Sequence, residues 1–589
     1  MPTHHDHANL IWQIADLLRG PYRPPQYERV MLPMTVLRRF DSVLAPTKAK
    51  VLAEYNKRKG GKLTDDALDR FLNRASGQRF HNHSPLDFQK LKGDPDNIEK
   101  HLVSYIKGFS ANVRTIFDFF EFEAEIEKLR EANILYLVVS KFCDVDLHPT
   151  VVQNEEMGLI FENLIRRFNE LANETAGDHF TPREVIRLMV NLLFINDDDL
   201  LATPGTVRKL LDPACGTGGM LAESQNYLRE HHSAAQLYTY GQDYNKRAFA
   251  TAASDMLMKE VAHNGGGENV RYGDIFTEDQ FQDETFDYFL ANPPFGVDWK
   301  KQAREIGNEH QKQGHAGRFG AGLPRVNDGS LLFLQHMISK FEPVLPEQHK
   351  HGSRLAIVFS GSPLFTGGAG SGESEIRRWI IEKDWLEAVI ALPEQMFYNT
   401  GIGTYIWIVT NRKEKRRKGK IQLLDARECF IPMRRSLGDK RRKIGEGRDG
   451  EPDQIADIVR LYGRFAGGER SKAFANADFG YRRVTIERPQ RDERGKIVPD
   501  KHGQPAPDAR LRDCENIPLT EDVDAYFARE VLPHVPDAWM DRAKDKVGYE
   551  INFNRHFYRY TPPRDLEKID ADLKTSEEEF MRLLKEVTA

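Results

Sequence analysis

Val207-Arg-Lys-Leu-Leu-Asp-Pro-Ala-Cys-Gly-Thr-Gly-Gly219 begins as an apolar run and ends as a glycine-rich turn. A strand over 207–211 followed by Gly216, Gly218 and Gly219 is the pattern of a strand-to-helix junction. There, missing side chains let a ligand approach backbone amides and a helix N-terminus. Outward from it, apolar runs at 237–242, 269–272, 286–291, 354–359, 386–392 and 404–410 alternate with helical segments. Together these seven runs predict an α/β domain, doubly wound, with a mostly parallel seven-stranded sheet and helices on both faces. Sheets of this kind bind ligands at the carboxyl ends of their strands.

The polar residues after those runs describe a ligand. The turn offers Asp212, Pro213, Ala214, Gly216, Thr217, Gly218 and Gly219 but no lysine placed as in a phosphate-binding Walker loop, which disfavours ATP hydrolysis. Asp243 closes the second run, where a carboxylate can accept hydrogen bonds from both hydroxyls of a ribose. Asp274, with Ile275 in Gly273-Asp-Ile-Phe276, follows the third and can accept from an adenine amino group. Taken alone, either aspartate reads as a cap or turn residue. In this order they favour amino acid, ribose and adenine in one molecule, S-adenosylmethionine.

Asn292-Pro-Pro-Phe295 ends the fourth run. An exocyclic amino group on a base is a poor nucleophile because its lone pair is delocalised into the ring. The Asn292 side-chain oxygen and the Pro293 carbonyl can both accept from such a group, with Pro294 stiffening the turn and Phe295 offering a flat face for the base. Cys215 sits in the cofactor turn and is not required as a nucleophile. No metal is needed.

The motifs from Asp212 to Phe295 resemble those of the amino-group DNA methyltransferases, in the gamma order with cofactor motifs first. Ala176-Gly-Asp-His-Phe-Thr-Pro-Arg183 is similar to that family's segment beside the methionine end of the cofactor, which adds Phe180, Thr181 and Pro182 to the candidate site. The stretch 392–404 is similar to the loop and strand that help enclose a flipped base. Leu10-Ile-Trp-Gln-Ile-Ala-Asp-Leu-Leu-Arg-Gly20, Gly158-Leu-Ile-Phe-Glu-Asn-Leu164, Leu424-Asp-Ala-Arg-Glu428 and Glu550-Ile-Asn-Phe-Asn-Arg-His-Phe-Tyr558 resemble modification subunits of type I restriction-modification systems. That resemblance implies methylation of adenine N6 in DNA. It also implies two modification subunits joined to a specificity subunit that reads the sequence, with a restriction subunit able to add to them. Alternatives are a stand-alone adenine methyltransferase with its own recognition region, a methyltransferase of guanine amino groups in RNA or of protein glutamine, and a non-enzymatic structural subunit.

The remaining features bound this reading. A chain of 589 residues, 29% charged and with formal net charge −5, is long enough for several domains and does not grip nucleic acid over its whole surface. Four cysteines without paired spacing argue against a disulfide framework or a structural zinc site, and no apolar stretch suggests a membrane span, so a cytoplasmic protein is expected. Expected divisions are a helical N-terminal domain over 1–150, a methyltransferase domain over 151–430, an extension over 431–563, and an amphipathic docking helix over 564–589. His4, His5 and His7 read as a tail, and Ile11, Ile14, Ala15 and Leu18 as a packing face stopped by Gly20. The glycine-dense stretch 303–328 suggests a closing lid, the charged stretch 484–513 a disordered inserted loop, and the basic runs 412–418 and 434–448 phosphate contacts. Leu566, Ile569, Leu573, Phe580, Leu583 and Val587 form a stripe that a partner helix can cover.

Overall fold

All seven apolar runs join one sheet in the computed structural model of the chain, which describes every residue except 1–10, 62, 172–180, 233, 260–268, 349, 399, 449, 559–564 and 589. The strands are β1 (Val207–Asp212), β2 (Gln236–Asp243), β3 (Val270–Tyr272), β4 (Tyr288–Ala291), β5 (Arg354–Ser360), β6 (Leu386–Ala391) and β7 (Thr404–Thr410). Two more, β8 (Lys420–Asp425) and β9 (Ser471–Ala475), extend one edge, giving the order β9-β8-β6-β7-β5-β4-β1-β2-β3. β7 runs antiparallel to both β5 and β6, and β9 to β8; the other pairs are parallel. The order reverses between β1 and β4, so the crevice of a doubly wound sheet opens at the carboxyl ends of these two strands. β4 to β6 are buried almost throughout, which is why they read as unbroken apolar runs rather than as alternation.

At the amino ends of the strands, buried charges are paired with one another. Arg354 and Glu387 lie 3.1 Å apart with Arg354 also donating to the Tyr462 hydroxyl, and Arg412 forks onto Asp197, which accepts from Tyr288 as well. This side of the sheet is tied off. The 412–418 run is largely spent in this way, contrary to its expected role toward phosphate. Lys413 donates to Asp384, the buried Arg417 to Gln422 and the Tyr462 carbonyl, and Arg416 to Glu414.

The helical front forms where the three- and four-residue spacing predicts it, in helices Glu28–Leu44, Ile98–Lys107, Ala111–Phe119, Phe122–Glu131 and Leu135–Cys143. Ile11, Ile14, Ala15 and Leu18 are buried, and the turn after them is closed by Gly20 at φ +101°. One apolar core runs from these helices into the sheet layer. At their junction Phe119 packs on Phe249 and Tyr272, behind β2 and β3. The histidine tail lies outside the described residues.

Two expectations for irregular segments are corrected. Residues 303–328 are not a loose glycine loop: they hold the helix Ala303–Gln313, and two of their glycines, Gly320 and Gly322, mark close backbone contacts. A Cβ on Gly320 would stand 2.3 Å from the Gly314 carbonyl, and one on Gly322 2.7 Å from the Gly372 oxygen. Nor is 484–513 a disordered excursion. Its ends belong to an antiparallel three-stranded sheet of Gly480–Glu487 between Asp513–Pro518 and Trp539–Tyr549, and bridges Pro489–Pro507, Arg491–Ile497 and Pro499–Pro505 fold the span between.

Residues 552–589 form a separate unit. Its helix Leu566–Thr588 leaves Leu566, Leu573, Phe580 and Leu583 exposed; the side chain of Val587 is outside the described residues. Among the described residues no helix is long and apolar enough to cross a membrane.

Candidate active site

The glycine turn after β1 takes the geometry its composition predicts. Gly218 is left-handed at φ +84° and caps the helix Gly219–His231, whose first amides face the crevice. A side chain at Gly218 would also press on Ala252 at 3.2 Å. Asp243, at the end of β2, reaches back to this turn: one carboxylate oxygen accepts from the Gly216 amide at 2.8 Å and the other from Asn245 at 2.8 Å. The turn and the second strand are therefore held together by the residue expected to meet a ribose.

Asp212 accepts from the Ala214 amide at 3.0 Å and is fully enclosed. Burial, reinforced by the nearby Asp243 carboxylate, pushes its carboxyl up to about 8. The same surroundings push the Cys215 thiol well above its usual range, first by burial and then by Asp243 and Asp212. A thiol so held is inert, in line with its exclusion as a nucleophile.

Asp274 closes the far wall. Its carboxylate accepts from the Phe276 amide at 2.9 Å and from the Gln302 side chain at 2.6 Å. Beneath it, the Arg318 guanidinium donates to the carbonyls of Ile275 and Phe276, both at 2.8 Å, while Glu309 pairs with it at 2.7 Å. Arg318 thus fastens the glycine-rich segment to the floor of the site.

These walls enclose a cavity of about 340 Å³ lined by Thr181, Asp212 to Cys215, Thr217, Gly219, Asp243, Asp274, Ile275 and Asn292. Tyr244, Asp298, Trp299, Lys301, Gln302 and Phe333 complete it. Pro182 is buried directly before the helix Arg183–Phe194, where its carbonyl accepts from the Val185 and Ile186 amides. Phe180 lies outside the described residues. A second cavity of about 440 Å³ is lined by Asn292, Pro293, Pro294, Phe295, Arg325, Ser362, Phe397, Thr400 and Ile402. The two share Asn292, Pro294 and Val297, so the tetrapeptide is the partition between them.

The Asn292 amide sits in that partition with its two ends treated differently. Its nitrogen donates to the Thr181 hydroxyl at 2.9 Å. Its oxygen is buried, and among the described residues nothing donates to it. An unpaired buried acceptor costs about 1–3 kcal/mol, and this one lies in the wall common to both cavities. In the second cavity the Phe295 ring meets Phe397 edge to face at 5.7 Å.

Sequence reasoning missed Trp299, Gln302 and Arg318 as site residues, whereas Phe397 falls in the stretch 392–404 expected to enclose a base. Trp299 anchors the segment after the tetrapeptide, its indole donating to the Arg325 carbonyl at 3.0 Å. Closeness in sequence to Asn292 was the one available signal for Trp299 and Gln302; for Arg318 there was none, since the nearby Glu309 does not reveal the two backbone carbonyls it also holds, more than forty residues away.

A family model described as N-6 DNA Methylase matches residues 152–473, and one described as HsdM N-terminal domain matches residues 7–142. The chain is 24% identical over 452 residues to the type I restriction enzyme MjaIX methylase subunit of Methanocaldococcus jannaschii, covering 73% of this chain and 75% of that one. It is 28% identical over 284 residues to the type I restriction enzyme HindI methylase subunit of Haemophilus influenzae, covering 48% of this chain and 57% of that one. The crystal structure of a type I restriction-modification system methyltransferase subunit from Streptococcus thermophilus superposes with a TM-score of 0.60 at 20% identity, over 81% of this chain and 97% of that one. At that identity the superposition speaks for the fold.

Proposed function

The chain belongs to the N-6 DNA methylase family, and from that premise we propose that it is the modification subunit of a type I restriction-modification system. It moves a methyl group from S-adenosylmethionine to the N6 amino group of an adenine turned out of DNA. The observation that carries this reading is the Asn292 amide, anchored through its nitrogen and idle at its oxygen, between two cavities of ligand size. The relatives support it, being methylase subunits of type I restriction enzymes.

The residues present fit S-adenosylmethionine. Asp243, Asp274 and Asp298 line the first cavity against Lys301, an acidic balance suited to a ligand whose sulfonium and ammonium outnumber its one carboxylate. The turn from Asp212 to Gly219, with Phe180, Thr181 and Pro182, would hold its amino-acid end, Asp243 its ribose, and Asp274 and Ile275 its adenine. When bound, it supplies an electrophilic methyl group.

The chain's own residues prepare the nucleophile. Extracting an adenine from the stack costs about a few kcal/mol, and Phe295, with Phe397 at its edge, provides an aromatic wall against which the base is held. Asn292 Oδ1 and the Pro293 carbonyl then accept the two N–H bonds of its amino group. Both acceptors pull the nitrogen lone pair out of conjugation and toward the first cavity, and catalysis comes from this polarisation and from positioning.

Sequence choice rests with a specificity subunit that binds two copies of this chain, and a restriction subunit can join the assembly. The exposed stripe Leu566, Leu573, Phe580 and Leu583 supports docking on another chain. The place of action is the cytoplasm, where the DNA is. The test is transfer of a radiolabelled methyl group from S-adenosylmethionine to duplex DNA by this chain assembled with its specificity subunit, with digestion to nucleosides. Label in N6-methyl-2′-deoxyadenosine is expected; label in cytosine, in RNA or in protein overturns the reading.

A further inference from the structure

The second basic run, 434–448, differs from the first in what its arginines touch. Residues Ile431–Leu437 and Lys440–Lys443 form an antiparallel ribbon pairing Ile431 with Lys443, Pro432 with Arg442 and Leu437 with Lys440. Four residues, Met433 to Ser436, bulge on one strand opposite Arg441 on the other. The bulge carries Arg434 and Arg435. All three arginines are exposed, and among the described residues no acidic side chain pairs with any of them. That is unlike Arg187, Arg318, Arg354, Arg412 or Arg427, each of which meets a carboxylate. Like charges gathered without a counter-charge, on a chain of net charge −5, are a local positive patch suited to an anionic partner.

The ribbon is fixed to the rim of the second cavity. The amides of Arg441 and Arg442 both donate to the Gln395 carbonyl, at 3.0 and 3.2 Å, and that of Asp439 to Tyr398 at 2.9 Å. Gln395 is itself left-handed, at φ +59°, and its own amide donates to Gly401. Lys440 is buried beneath the ribbon, where it donates to the Met396 carbonyl and to Glu184. The clamped loop carries Phe397, Thr400 and Ile402, which line the cavity assigned to the target base. The arginines and the cavity assigned to the base therefore share one support.

We propose that the ribbon Ile431–Lys443 is a phosphate clamp: Arg434, Arg435 and Arg441 grip the DNA backbone next to the extracted nucleotide. A guanidinium takes a phosphate through two parallel N–H bonds, and such contacts fix register without reading sequence. The clamp holds the strand beside the opening while Phe295 and Asn292 hold the base, which lowers the freedom of a nucleotide already out of the stack. It rests on the reading of DNA as substrate.

The test uses the full chain with Arg434→Ala, Arg435→Ala and Arg441→Ala combined, measuring affinity for a labelled duplex across a salt series. Each phosphate contact contributes about 0.9 to the slope of log affinity against log salt, so the triple variant should lose about two to three units of slope, and over tenfold in affinity near physiological salt. S-adenosylmethionine binding and the melting temperature should stay as in the wild type, showing that the site is intact. Arg434→Lys, Arg435→Lys and Arg441→Lys together should keep most of the slope. An unchanged slope, or a wild-type chain that binds no duplex at any salt, overturns the clamp. So does weaker assembly with the specificity subunit at unchanged DNA affinity, which would make the patch a protein contact. A lost slope in a chain that methylates no adenine would keep the clamp and refute the proposed reaction.

Discussion

Thr181 and Asn292 act as one unit, because the hydroxyl that accepts from the amide nitrogen decides which end of the amide is left to meet a substrate amine. Asn292→Ala should cut methyl transfer at least about a thousandfold, the upper range for removing one polarising group, while the affinity for S-adenosylmethionine by calorimetry stays nearly unchanged. Turnover within tenfold of wild type would be inconsistent with polarisation at this position. Thr181→Val should cost about tenfold in kcat, one neutral hydrogen bond's worth, and Thr181→Ser should restore it. In an Asn292→Ala background Thr181→Val should add nothing; an additive loss would place Thr181 in cofactor binding alone. Asp212 makes a separate prediction. Its carboxyl is raised in the folded chain, to about 8, and so contributes stability that is complete below the unfolded value of about 4 and is lost as pH rises through about 8. Urea unfolding without ligand should therefore show stability falling by up to about 1.4 kcal/mol per pH unit within that window, and Asp212→Asn should remove this component. The individual residues from Asp212 to Phe295 were legible in the chain because each sits just after a strand run. The pairing of Asn292 with Thr181 was not, since it joins atoms 111 positions apart.

At the scale of elements, what a pattern meant depended on neighbours that no local window contains. The glycines of 303–328 suggested motion, yet Gly320 and Gly322 are the places where backbone lies against backbone, and Arg318 nails the segment to Ile275 and Phe276. Gly320→Ala should cost about 1–3 kcal/mol as overpacking, read by thermal unfolding. Limited proteolysis of the ligand-free chain should leave 303–328 intact; rapid cleavage there would restore the lid. The two basic runs, both rich in Arg and Lys, met different fates. One is absorbed by Asp197, Asp384 and the Tyr462 carbonyl beneath the sheet, the other stands clear on a ribbon. β4 to β6 were visible as unbroken apolar runs because they are buried almost throughout, and β1 to β3 and β7 as apolar runs bounded by turn residues. β8 and β9 were not, since Lys420–Asp425 follows a basic turn and Ser471–Ala475 alternates buried with exposed residues at the sheet edge.

For the whole molecule, a sheet with chemistry confined to its carboxyl edge, a helical front sharing its core, and a C-terminal helix with an exposed apolar face make a subunit equipped for transfer and for assembly. In the proposed reading the site from Asp212 to Phe295 selects an amino group on a flat base and leaves the choice of sequence to another chain. The measurement that tests this division of labour most directly is base-resolved mapping of methylated DNA. It uses methylase-free cells expressing this chain alone and together with a candidate specificity subunit. Methylated adenines in one split motif, in the paired strain alone, are the expected result. Methylated adenines from the chain by itself would mean that it carries its own recognition, and no methylated adenine in either strain would contradict the reaction.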